Sequence, residues 1–89
     1  MLYDNVVKIL EKCKDEDLSD ILVAEDMLKN GHEDDKDLKE ACDFLNKHYH
    51  QITKCNRLGK LDTIKDICEA KDDEAELAKL LKAVEDIKE

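Results

Sequence analysis

The chain contains no proline and no tryptophan, only two glycines, and aromatic residues make up 3% of it. Without proline, no position is barred from a helix interior by a locked ring or a missing N–H. So few glycines exclude the Gly-rich loops that cradle phosphates and dinucleotides. Hydroxyl nucleophiles are equally scarce: Ser19, Thr53 and Thr63 are all there are, and none sits in a Gly-flanked turn. No enzymatic activity is expected from such a set, and no cofactor. No apolar run approaches the roughly 20 residues that cross a bilayer. No Cys-x-x-Cys occurs among the four cysteines, which removes the signature of zinc ribbons and of thioredoxin-like exchange.

What is present is charge. Of 89 residues, 44% are Asp, Glu, Lys or Arg, and the net charge is −9. That length fits a single helical domain, 1–89, in which nearly every Leu, Ile and Val is needed inside. An acidic surface repels phosphates and anionic headgroups, so neither direct nucleic-acid binding nor a membrane is expected, and the partner is another protein. The first residues lack the basic flank and apolar run of a secretory signal, so a cytoplasmic location with reduced thiols is expected.

Apolar residues recur at three-and-four spacing, which predicts an all-α fold. Asp4 is positioned to cap a first helix bearing Val6, Val7, Leu10 and Cys13 on one face. Asp17, with Asp20 three residues on, is positioned to cap a second, carrying Leu18, Ile21, Leu22, Ala24 and Leu28 and ending at Asn30-Gly31. A long third helix is predicted over 34–58, stopped by Gly59. Its stripe of Leu38, Ala41, Cys42, Leu45, Tyr49 and Ile52 widens with Phe44, His48 and Cys55 to roughly 160°, the width of a central element with neighbours on two sides. Thr63-x-x-Asp66 fits a capping box for a short fourth helix burying Ile64, Ile67 and Cys68. A bend is predicted around Lys71-Asp72-Asp73-Glu74, followed by a helix carrying Leu77, Leu80, Leu81, Val84 and Ile87. The expected architecture is a compact bundle of four or five helices around the 34–58 helix.

Charge is unevenly distributed along the chain. Residues 1–43 carry a net −8 and 62–89 a net −5, whereas 44–61 contain no acid and four bases, Lys47, Lys54, Arg57 and Lys60. One explanation is helix electrostatics, with acids at the start of the 34–58 helix and bases at its end. The other is a contact surface, making Lys54, Arg57 and Lys60 partner-binding candidates together with an apolar groove beside Phe44, His48 and Cys55.

Cys13, Cys42, Cys55, Cys68 and His48 are the residues that a metal or ligand carrier would use. Two ligands on one helix reach a common ion when three or four positions apart. Cys42 and Cys55 are thirteen apart, about 20 Å along a helix axis, so any site would need single ligands converging from separate helices. The four-apart pair Cys68 and Asp72 straddles the predicted bend. Core packing accounts for these thiols without a metal. The reading that follows is a non-enzymatic acidic protein-binding module, an inhibitor or adaptor engaging a basic or mixed-charge surface, with a nucleic-acid-binding site as one such surface. The alternative is a small metal- or ligand-binding carrier. Self-association through surplus apolar surface is a third possibility.

Overall fold

In the computed structural model, which describes residues 2–70 and 74–87, the chain is all-helical, with six helices among the described residues. They are α1 (Leu2–Asp15), α2 (Ile21–Lys29), α3 (Lys36–Lys47), α4 (Tyr49–Arg57), α5 (Leu61–Glu69) and α6 (Glu74–Glu85). The radius of gyration is 12.3 Å, against about 12 Å for a compact chain of this length. The predicted break at 71–73 lies outside the described residues.

Two expectations are corrected. The 34–58 segment is not one rod: it divides at His48 into α3 and α4. The His48 N–H bonds back to Leu45 O, a three-residue step that tightens the end of α3. With φ −113° and ψ 29°, His48 leaves helical geometry before α4 begins. The two halves serve different neighbours, since α3 packs on α1 and α4 packs on α6 and α5. The hub is instead α1, which contacts α2, α3 and α5. Its Val6, Val7, Ile9, Leu10 and Cys13 are all buried and cover roughly 160° of its circumference. Three of those five are β-branched and mildly unfavourable in a helix, so burial and not intrinsic propensity secures α1.

Capping also departs from expectation. Asp4 lies in the first turn of α1 and does not cap it. Asp17 closes α1 and does not open α2: it takes φ 50°, with Leu18 N–H to Cys13 O at 2.9 Å and Asp17 N–H to Lys14 O at 3.1 Å. Those two bonds are a Schellman stop with Asp in the left-handed position. Gly59, φ 70°, repeats it, with Lys60 N–H to Cys55 O and Gly59 N–H to Asn56 O. The cap of α2 is Asp20, which accepts from Leu22 N–H at 2.9 Å. Thr63 lies inside α5, whose N-cap position is Lys60, so the Thr63–Asp66 box does not form the start of that helix.

Polar ties join the elements around this core. Leu18 O accepts from the Cys13 thiol at 3.4 Å and from Asn56 Nδ2 at 2.9 Å, fastening the α1–α2 turn to α4. Tyr49 Oη donates to Asp20 at 3.1 Å, so the cap of α2 is also held from α4. On the outside, Lys14 grips both oxygens of Asp62, and Lys65 pairs with Glu11, linking α1 to α5.

Candidate functional site

The predicted groove exists in altered form. A recess of about 210 Å³ opens between α3 and α6, lined by Phe44, Lys47, His48, Glu74, Leu77, Ala78 and Leu81. Phe44 and His48 meet edge-on at 5.2 Å, one helical turn apart, and Tyr3 stacks edge-on against Phe44 at 6.1 Å. Burial, aided by the Lys47 charge, pushes the His48 imidazole below its ordinary value, so the ring is neutral at pH 7. Cys55 does not line this recess; it is fully buried in the core. The volume is below the roughly 300 Å³ at which small-molecule pockets begin. It has room for one partner side chain.

The basic island does not form one patch. Lys54 Nζ donates to Glu85 O and Ile87 O, neutralising the carbonyl end of α6. Gln51 donates to Glu85 beside it. Arg57 shares a shallow surface with Lys54 and Glu85 in the last turn of α4. Lys60 is exposed at the α4–α5 junction and does not line that surface. Helix-end electrostatics accounts for part of the pattern, since Asp35 caps α3 through Leu38 N–H at 3.1 Å and Lys54 and Arg57 sit in the last turn of α4.

All four cysteines are buried and none is in a disulfide. Burial raises every thiol, Cys42 and Cys68 to about 11, so each stays protonated at neutral pH. A protonated, enclosed thiol is a poor nucleophile. Among the described residues, no three His, Cys, Asp or Glu side chains come together as a metal-binding group. His48 is on the α3–α6 recess, whereas the thiols are core groups.

Two features of α2 were not anticipated. Glu25 is buried at 2% exposure, and its Oε2 has no hydrogen-bond partner among the described residues. Desolvation raises its carboxyl above the ordinary glutamate value, with Cys42, Lys29 and Asn46 pulling the other way and Asp26 adding to the rise. Conversely Leu22, expected on the inner face, is 40% exposed, with Val23 at 45% and Met27 at 44%. The signal for Glu25 was in the spacing: Ile21, Ala24, Glu25 and Leu28 follow the three-and-four pattern of one face. No protein family, characterised protein or solved structure was found to match the chain.

Proposed function

We propose that this chain is a non-enzymatic acidic protein-binding module, an inhibitor or adaptor of the cytoplasm that engages a basic or mixed-charge surface of another protein. A nucleic-acid-binding site is one such surface. The observation that carries the reading is where acidic side chains are displayed. Residues 30–37 are exposed throughout and bring Glu33, Asp34, Asp35 and Asp37 to the surface, next to exposed Asp26. Asp15 and Asp17 are exposed at the end of α1, beside Glu16, which is paired with Lys12 at 3.2 Å. The opposing candidate, a basic knob, is weakened because Lys54 is already bonded to the end of α6.

Electrostatic association of this kind is steered by exposed charge and screened within about 10 Å at 0.1 M salt. The test is titration of a labelled polycationic peptide with the full chain across a salt series. Affinity falling steeply with salt, and falling further when Glu33, Asp34 and Asp35 are replaced by their amides, supports the reading. Salt-independent binding, or no loss on neutralisation, sinks it. Replacing Lys54, Arg57 and Lys60 by Gln in parallel should lower thermal stability and leave binding intact.

A further inference from the structure

We propose that the outer face of α2, where Val23 and Met27 border a recess shared with Asp26 and Glu33 and Leu22 is exposed on the far side of Asp26, is the docking surface for a basic amphipathic helix of a partner protein. This rests on the acidic-module reading and names where that module makes its apolar contact. The argument starts from the composition of α2. Six of its nine residues are apolar, and they fall on two faces. Ile21 and Ala24 are buried, Leu28 half-buried, and this inner face packs on α1. On the outer face, Leu22, Val23 and Met27 keep 40%, 45% and 44% of their surface open to solvent. Leu22, Val23 and Met27 are the large apolar side chains left exposed among the described residues. A helix apolar on both sides is characteristic of an element covered on both sides.

The distribution on α2 is inverted as well. The one buried charged side chain among the described residues, Glu25, is on this helix, while three apolar side chains face water. The fold's own stability accounts for neither choice. The face is nonetheless held in place. Asp20 caps α2 and is itself bonded by Tyr49, so the surface is presented on a fixed element.

Charge decides the occupant. Val23 and Met27 stand one turn apart beside an open recess of about 520 Å³ whose other walls are Asp26, Lys29, Asn30 and Glu33. The backbone N–H of Glu33 itself, with the Gly31 N–H at 3.3 Å, lowers the Glu33 carboxyl below its ordinary value. Lys29 is half-buried one turn from Glu25, and its charge acts on that carboxylate. A second copy of the chain would bring the same acidic rim and a net −9 against itself. A helix with apolar residues at three-and-four spacing and Lys or Arg alongside matches both the recess and its rim.

The test titrates the full chain with fluorescent synthetic peptides by anisotropy: a helical Leu/Lys peptide, and a Ser/Lys peptide with equal charge and no apolar face. The Leu/Lys peptide should bind at least about tenfold more tightly than the Ser/Lys peptide. The double variant V23S/M27S should remove that preference while retaining the circular-dichroism melt of the parent, since both side chains are exposed. D26N/E33Q should weaken the Leu/Lys complex several-fold and flatten its salt dependence. If V23S/M27S binds the Leu/Lys peptide as the parent does, the α2 surface is overturned. Equal, salt-sensitive binding of both peptides overturns it too and leaves the acidic module standing. Binding of neither peptide overturns both. A dimer in sedimentation that V23S/M27S dissolves would give the face to a second copy and overturn the basic helix.

Discussion

Replacing Glu25 should make the protein more stable. Its side chain is 2% exposed, and Oε2 lacks a partner among the described residues. A buried polar group without its hydrogen bond costs about 1–3 kcal/mol, and more when charged. Methionine matches glutamate in length and lack of branching and carries no group that needs a partner. It also removes the acceptor that Cys42 and Asn46 use, so Glu25→Met should recover about 1 kcal/mol near pH 7, the low end of the range for an unsatisfied buried group. For a domain of this size each kcal/mol raises Tm by about 4–8 °C. The pH dependence identifies the cause. Because burial places the folded-state carboxyl above its unfolded value, the native state binds more protons in the interval between the two. Stability therefore falls as pH rises through that interval, and the penalty is complete above the folded value. The advantage of Glu25→Met should be full above the raised folded-state value and shrink as pH falls towards the unfolded glutamate value of about 4.3. Asp62 and Glu33 are lowered and have the opposite sign, but they are common to both proteins and cancel in the difference. Glu25→Gln isolates the charge, since it keeps the shape and removes the titration. Urea unfolding of the three proteins across this pH range is the assay. A Glu25→Met protein less stable than the parent near pH 7, or a difference that does not change with pH, refutes the reasoning.

Other perturbations address the frame around α2. Tyr49→Phe removes the bond to Asp20 and should cost about 0.5–1.5 kcal/mol, with amide exchange accelerating most at the start of α2. Gly59→Ala has open space around the new methyl group but keeps φ 70°, so the left-handed backbone alone should cost about 1 kcal/mol; a neutral result in a thermal melt would show the turn relaxing. Ile9→Ala, at a fully buried position of α1, should destabilise by about 2–5 kcal/mol, more than the same change at half-buried Ile67. The four buried thiols should resist an aromatic disulfide reagent in the native protein and all react in urea; one thiol reacting promptly without denaturant would contradict the burial that holds them protonated.

Periodicity was enough to read the helical class and most helix spans, because the helices bury residues at three-and-four spacing along one face. It misplaced the centre through one omitted residue. Counting Val6, Val7, Leu10 and Cys13 gives α1 a face of roughly 120°; adding Ile9 extends it to roughly 160°. That is the width assigned to the 34–58 segment, where α3 alone buries Leu38, Ala41, Cys42 and Leu45 over roughly 100°. The apparent breadth there came from laying two helices end to end as if no break intervened. Nothing local announces that break, since His48 is neither Gly nor Pro. It arises because α3 and α4 have different neighbours, which is tertiary information. The same limit applies to Asp17, read as a cap because aspartate favours helix starts, although it accepts a left-handed stop nearly as well.

The surface singled out on α2 was hidden for a related reason. Pattern reading assigns apolar residues to the interior and acids to solvent, and α2 violates both assignments within one turn: Glu25 inside, Met27 outside. With Ile21, Leu22, Val23 and Ala24 in succession, the helix start has no polar side to show which way it faces. Glu25 alone could have indicated it, had its register with Ile21 and Leu28 outweighed its charge. The residues most at odds with the one-face rule are thus those at which the fold's own stability accounts least for the sequence. A helix with a buried carboxylate and three wet apolar side chains departs from what its own packing favours, and the basic amphipathic helix proposed above would meet both the apolar recess and the acidic side chains beside it.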